Sequence, residues 1–276
     1  MNDIFTALFE CLREEQPVAV ATIIEVAPSP SGSGLTPQLG ASMLCSPDVG
    51  LHSSISNGAL ESAVRRDLED ALASGMNATR NYGTAGEPGL DDVTVFFDVY
   101  SPPARIIIVG AVDFTRALVK VAKVLGYRVT VCDARPEFAT TKRFPEADEV
   151  VAQLPARYLE TVGDRLGPLD AICVLTHDHT YDVPAIAAAL QTRVGYLGAM
   201  GSRGTHAERV ALLLGAGVQE SRIHEIMAPI GLKIGARNPE ETAISICAEI
   251  IAIREGVKVE SLRDGSGPIH TVVTST

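Results

Sequence analysis

Four stretches of the sequence carry residue types at spacings able to do chemistry. Thr176-His177-Asp178-His179-Thr180-Tyr181-Asp182 directly follows an apolar run, Ala171 to Leu175. On an extended backbone His177 and His179 project to the same side, where with Asp182 they could grip a divalent metal or an oxyanion. The HxHxDH order of metallo-hydrolases is not met, because Thr180 and Tyr181 intervene before Asp182. These residues are therefore better read as lining a ligand cleft or capping the next helix, and no metal site is expected. A second stretch, Gly198-Ala199-Met200-Gly201-Ser202-Arg203-Gly204-Thr205, lies between a strand and a helix start. Gly198 and Gly201 permit close backbone approach, the helix start offers free N–H groups, and Ser202, Arg203 and Thr205 add hydroxyls and a guanidinium, which together suit an anion.

The third stretch is Arg105 to Phe138, RIIIVGAVDFTRALVKVAKVLGYRVTVCDARPEF, which reads as strand, turn, helix, strand and acidic residue. Asp133 follows Gly110 at about the 20-residue spacing of the carboxylate that holds a ribose in dinucleotide-binding folds. The GxGxxG fingerprint would need glycine at 112 and 115, where this chain has Val112 and Thr115 with Asp113 between them. A branched side chain keeps backbone amides away from a pyrophosphate, and an added carboxylate repels one. The fourth stretch, Ala228 to Glu241, combines Gly231, Gly235, Pro229 and Pro239 into an irregular backbone leading to a helix start. Its expected task is positioning, and its glutamates Glu240 and Glu241 are explained by the helix dipole.

The elements that must hold these residues divide at Ser101-Pro102-Pro103, where consecutive prolines interrupt regular structure. The expected domains are 1–101, a smaller N-terminal α+β domain, and 102–276, a Rossmann-like domain. In the first, periodicity predicts a helix over Ile4–Leu12, strands over Val18–Val26 and Ala41–Cys45, a helix over Gly58–Ala73 and a strand over Val93–Tyr100. Between Ala27 and Gly40 lies a Pro/Gly/Ser loop, read as a surface loop or a substrate lid. In the second, strands and helices alternate, which implies an α/β class with a parallel sheet covered on both faces. Strands are expected at Ile106–Val109, after Gly126, at Glu149–Ala152, Ala171–Leu175 and Arg193–Leu197. Helices are expected after Gly110, near Ala156–Leu166, and at Pro184–Leu190 and Thr205–Leu214. The last helix has Asn238 as N-cap, Pro239 at its first position, Glu241 three residues past the cap and Gly256 at its end.

Composition narrows the function. A hydrophobic content of 46% with 21% charged residues is that of a folded globular chain. A net charge of −11 argues against nucleic acid as a partner. No apolar run approaches a membrane span, and the first residues, MNDIFTALFECLREEQ, lack the features of a secretion signal, so no membrane association and a cytoplasmic location are expected. Five dispersed cysteines without a CxxC pair fit neither a disulfide framework nor structural zinc. Cys132, Cys173 and Cys247 read as small buried hydrophobes.

Several long motifs occur in one order: DARPEFATTKRFPEADEVV (Asp133 to Val151), LTHDHTYD (Leu175 to Asp182), GYLGAMGSRGT (Gly195 to Thr205), APIGLKIGARNPEETAISICAEIIA (Ala228 to Ala252) and GPIH (Gly267 to His270). On these the chain resembles a diverged member of the XdhC/CoxI family, the accessory proteins of xanthine dehydrogenase and related molybdenum hydroxylases. The resemblance implies a binding and delivery factor rather than a catalyst. It would bind the molybdenum cofactor (molybdopterin), protect it during sulfuration by a cysteine desulfurase and insert it into a molybdenum hydroxylase apo-enzyme. A homodimer is also expected. The pterin phosphate would lie near Gly198 to Thr205 and the Gly110 turn. The expected cofactor-binding set is Gly110, Asp133, Arg135, Thr176, His177, Asp178, His179, Gly198, Gly201, Ser202, Arg203 and Gly231. The chain departs from the family pattern at Val112 and at Ala59, which stands where the family has a cysteine. The alternative is an NAD(P)-dependent oxidoreductase built on the Gly110 turn and Asp133.

Overall fold

A computed structural model describes residues 2–14, 16–28, 37–47, 49–56 and 58–263. Most of the Ala27 to Gly40 loop and the whole GPIH tail lie outside these residues. The chain forms two compact units that divide between Pro102 and Pro103.

The first unit contains helix α1 (Asn2–Arg13), strands β1 (Val18–Val26), β2 (Ser42–Ser46) and β3 (Gly50–Ser53), helix α2 (Gly58–Ser74), and strands β4 (Ala78–Tyr82) and β5 (Val93–Tyr100). The strands pair antiparallel in the order β3-β2-β1-β5-β4. Period-two alternation sorts β1 onto two faces. Ala19, Ala21 and Ile23 pack with Val93, Val95 and Phe97 of β5 and with Leu60, Val64 and Leu68 of α2. Val18 and Leu44 instead pack with Ile4, Ala7 and Cys11 of α1. Strands β3 and β4 escaped the sequence reading because they are short edge strands without a clear apolar alternation, and most of their residues are left partly or wholly exposed.

The second unit runs β6 (Arg105–Val109), α3 (Asp113–Val124), β7 (Arg128–Asp133), β8 (Glu149–Ala152), α4 (Pro155–Val162) with a 3-10 turn at Gly163–Arg165, β9 (Ala171–Val174), α5 (His179–Ala189), β10 (Tyr196–Ala199), α6 (Arg203–Gly215), the short α7 (Glu220–Ile223), β11 (Ile226–Met227) and α8 (Pro239–Arg254). Its strands are all parallel, in the order β8-β7-β6-β9-β10-β11. Alternate strand residues feed two cores. Ile106, Ile108, Val129, Val131 and Cys173 pack against Leu118 and Ala122 of α3 and Ala243, Ile246 and Ile250 of α8. Ile107, Val109, Ile172, Val174 and Leu197 pack against Leu159 of α4, Ala185 and Ile186 of α5, and Leu213 of α6. Helices on both faces explain why these strands read as unbroken apolar runs. The structure is therefore a Rossmann-like parallel sheet in one unit and a smaller α+β unit in the other.

Three expectations for this unit are corrected. The helix expected at Pro184–Leu190 begins five residues earlier, at His179, because Asp178 caps it: its carboxylate accepts the Thr180 amide at 2.9 Å. His177 and His179 therefore do not share an extended strand face. The strand expected at Arg193–Leu197 begins at Tyr196 and runs to Ala199. Gly195 sits against the Pro168 carbonyl, where a β-carbon would come within 1.9 Å, and its amide bonds Asp170 O at 3.2 Å. That close crossing belongs to a turn, and the ladder with β9 starts only after it. At α8 the Asn238 side chain accepts the Glu241 amide at 2.8 Å as expected, but the Glu241 carboxylate reaches Arg237 N at 2.6 Å instead of the cap residue.

Candidate functional site

The strand order reverses direction at β6. Consecutive strands proceed from β6 through β7 to β8 on one side and from β9 through β10 to β11 on the other. Loops leaving β6 and β9 must part to opposite faces there, and the crevice between them at the carboxyl ends of the strands is where such sheets bind ligands. A cavity of about 320 Å³ occupies this position. Gly110 and Val112 line it after β6, Asp133, Ala134 and Arg135 after β7, and Thr176, His177, Asp178 and Tyr181 after β9, with Pro155 from α4. Its size is at the small end of ligand sites, which run from about 300 to 1,000 Å³.

Gly110 makes the crevice narrow. Its φ is +110°, and a β-carbon there would lie 2.8 Å from Thr176 Cγ2 and 3.0 Å from the Thr176 amide nitrogen. The backbones at the ends of β6 and β9 thus approach closer than any other residue allows. Past Gly110 the turn is closed by its own side chains. The buried Thr115 hydroxyl donates to Gly110 O, and the Val112 amide reaches Thr115 Oγ1 at 3.3 Å. Val112 is the N-cap of α3 with φ −100° and ψ 176°, an extended conformation that needs no glycine. The side chain costs no strain and forms part of the cavity wall.

Asp133 is turned inward as well. It is 4% exposed, and its two oxygens accept four N–H groups: Ala111 N at 2.7 Å, Arg135 N at 3.0 Å, Arg135 Nε at 2.9 Å and Arg135 Nη2 at 2.8 Å. A carboxylate has about four acceptor sites, so none is left for a ribose hydroxyl. Burial by itself would raise the Asp133 pKa. The Arg135 side-chain hydrogen bond, with the two amides and the Arg135 charge, outweighs it and holds the carboxyl below its usual range. A depressed folded pKa contributes stability that is present above the unfolded value of about 3.9 and lost as pH falls through the folded one. The stability advantage of the wild type over Asp133→Asn, measured by urea denaturation, is therefore expected to stay constant from pH 7 to about pH 5 and to shrink below about pH 4.

Arg135 remains half out of this ion pair: its side chain is 43% exposed and stacks on the Phe138 ring at 4.5 Å. It places a guanidinium on the cavity rim. Asp178, also in the cavity lining, is held below the usual carboxylate range by the Thr180 amide and hydroxyl, so it stays charged while capping α5. Below the rim, Thr176 is 7% exposed; its hydroxyl donates to the buried Asp182 carboxylate and accepts the Asp178 amide at 3.2 Å.

Of the twelve residues expected to contact cofactor, six meet at this cavity: Gly110, Asp133, Arg135, Thr176, His177 and Asp178. His179 begins α5 and lies 3.7 Å from Glu208 of α6 instead. Gly198 is inside β10, packed against Ile230 and Tyr196, and Gly231 is packed on Ser245, with its amide donating to Glu249 of α8 at 2.8 Å. Gly201 lies beside Thr205. Ser202 is spent as the α6 N-cap, its hydroxyl accepting the Thr205 amide at 3.1 Å, and Arg203 is exposed in the first turn. Sequence reasoning took Val112 only as an obstacle and passed over Ala134, Pro155 and Tyr181, all of which line the cavity. Tyr181 follows Thr180 directly in the LTHDHTYD stretch, and the helical start at His179 would have pointed to it.

Among the described residues no group of three His, Cys, Asp or Glu is arranged to hold a metal ion, and no helix is long and apolar enough to cross a membrane. Cys132, Cys173 and Cys247 are buried. Burial pushes the Cys132 and Cys247 thiols up to about 12 and raises Cys173 well above its ordinary value, so these thiols are packing groups and not nucleophiles at neutral pH. Ala59 is exposed in the first turn of α2.

Comparison with known proteins adds the lineage. Residues 106–250 match the family described as the XdhC Rossmann domain, and residues 11–83 match the XdhC and CoxI family. A protein of Bacillus subtilis (strain 168) named as a probable xanthine dehydrogenase subunit is 34% identical over 181 residues, covering 65% of this chain and 52% of that protein. The molybdenum cofactor insertion chaperone PaoD of Escherichia coli (strain K12) is 34% identical over 84 residues, covering 30% of this chain and 26% of that protein. The chain thus spans about half, or less, of the length of these relatives. A crystal structure of a xanthine dehydrogenase from Bacillus halodurans superposes with a TM-score of 0.50 at 23% identity, covering 92% of this chain and 96% of the other, a likeness of fold. With a family match across more than half its length, over the unit that carries the crevice, the chain belongs to the XdhC and CoxI family.

Proposed function

We propose that this chain binds the molybdenum cofactor in the crevice between β6 and β9 and delivers it to a molybdenum hydroxylase of the xanthine dehydrogenase type. The observation that carries the reading is a switch-point cavity that keeps a cation on its rim while both dinucleotide contacts are turned inward. Asp133 is committed to Ala111 and Arg135, and Thr115 ties back the turn that would cradle a pyrophosphate. What is left, about 320 Å³ with the Arg135 guanidinium in its lining, suits a compact ligand with one phosphate better than a dinucleotide. The names of the relatives, a dehydrogenase component in B. subtilis and an insertion chaperone in E. coli, support the same direction.

The cargo brings the molybdenum and its pterin; the chain supplies binding and exclusion of water. In this reading Arg135 pairs with the terminal phosphate, sharing its charge between that group and Asp133. Thr176, Gly110 and Val112 form the floor, and His177 and Tyr181 border the pterin. Arg135→Ala is expected to weaken retention of cofactor released from a molybdenum enzyme by about 5- to 150-fold, the loss of one charged hydrogen bond at about 1–3 kcal/mol. The measurement is co-elution of pterin and molybdenum with purified protein on gel filtration. Absence of co-elution with the wild type, under conditions in which an established insertion chaperone retains cofactor, would defeat the proposal. The alternative oxidoreductase reading predicts a fluorescence response to NADH or NADPH at millimolar concentration, and the Asp133 geometry leads us to expect none.

A further inference from the structure

The described residues include a fully buried ion pair that lines no part of the cavity. Arg209 of α6 and Asp182 of α5 are both 0% exposed, with Nη2 and Oδ2 2.9 Å apart. The same Nη2 donates to Met200 O at 2.9 Å, at the turn from β10 into α6. The other Asp182 oxygen accepts the Thr176 hydroxyl, and Thr176 Oγ1 accepts the Asp178 amide at 3.2 Å. Thr176 in turn abuts Gly110. A continuous chain of contacts therefore runs from α6 to the cavity floor.

Stability is a poor reason for this pair. Arg209 Nε and Nη1 are buried and find no protein acceptor, and a buried guanidinium with unfilled donors is less favourable than an apolar side chain of the same volume. His206, on the preceding turn of α6, is driven toward its neutral form by burial and then by the Arg209 charge, so it brings no second charge to the pair. What the guanidinium does provide is geometry. One nitrogen fixes a carbonyl after β10 and a carboxylate of α5 at a single point, and the carboxylate is thereby oriented to hold Thr176. Loops beyond strand ends have no ladder to fix them, so a ligand site built there needs such a support.

We propose that Asp182 and Arg209 are positioning residues for the cavity: they set the Thr176 to Asp178 wall without touching ligand, and their effect on binding passes through Thr176. The inference rests on the crevice being the binding site. The test compares the wild type with Arg209→Met, Asp182→Asn and the double variant Asp182→Leu/Arg209→Met, which removes both charges and both unfilled donors. We expect the single variants to lose stability in urea and the double to recover it. In the double, the Asp178 amide should exchange its hydrogen about tenfold faster than in the wild type, and retention of released molybdenum cofactor should fall by about tenfold or more. A double variant of wild-type stability with unchanged Asp178 exchange and unchanged retention overturns the inference. If the wild type retains no cofactor, the binding reading fails, and the exchange comparison in ligand-free protein still decides the positioning role. Should the double variant fail to fold, Thr176→Val, which replaces the hydroxyl by a methyl and so breaks the last link to Asp178, is read by Asp178 amide exchange, and unchanged exchange overturns the inference.

Discussion

Gly110→Ala is expected to destabilise the Rossmann-like unit by about 2–5 kcal/mol, because a strained backbone costs about 1–2 kcal/mol and overpacking about 1–3 more. Both penalties act at this position. Its φ of +110° is closed to side chains, and the added carbon would press on the Thr176 methyl and amide at 2.8 and 3.0 Å. The backbone has little room to yield. Gly110 N donates to Cys132 O at 2.8 Å, and Leu175 N donates to Val109 O at 2.8 Å, so the turn is held to strands on both sides. Urea denaturation followed by circular dichroism measures the loss. A variant with an unshifted midpoint would mean that the β6 and β9 ends are looser than this geometry requires. Because Thr176 is the residue displaced, cofactor retention should fall with stability.

Removing one member of the buried ion pair should cost as much or more. Asp182→Ala leaves Arg209 with Met200 O as its remaining acceptor, in a position where the guanidinium is 0% exposed. Arginine cannot shed its proton to escape, so the expected cost is about 3–5 kcal/mol, the range for breaking a buried pair from one side. A double-mutant cycle with Arg209→Met checks the cause. The second substitution should restore most of the loss, since it removes the stranded charge; two additive losses would show that the pair is not coupled. This stability result is separate from the positioning test, which asks what happens to the cavity after stability has been restored.

The alternation of apolar runs with amphipathic helices made the parallel sheet, its two covered faces and the α8 cap legible from sequence, since each follows from local periodicity and capping chemistry. The short strands β3, β4 and β11 were not, because their pairing is decided by neighbours rather than by their own pattern. Six of the expected contact residues do meet, as they follow strands β6, β7 and β9 at their carboxyl ends. The glycine-rich stretch from Gly198 to Thr205 looked at least as suitable for an anion. Gly198 is instead packed within β10 against Ile230, and the Ser202 hydroxyl caps α6; nothing in the local sequence separates a glycine that admits a ligand from one that admits a neighbouring side chain.

By itself the sequence determined the family, the α/β class and the strand ends at which chemistry could occur, because motif order and periodicity are properties of the chain read in one dimension. The tertiary structure alone decided which of those ends face one another. It placed β6 beside β9, turned Asp133 into a support for Ala111 and Arg135, made Thr115 a latch on Gly110, and joined Asp182 to Arg209 beneath Thr176. The physical reason is that a carboxylate's role depends on which donors reach its lone pairs. The Ala111 amide on Asp133 and the Arg209 guanidinium on Asp182 come from segments distant in sequence that only the packed sheet brings within hydrogen-bonding range.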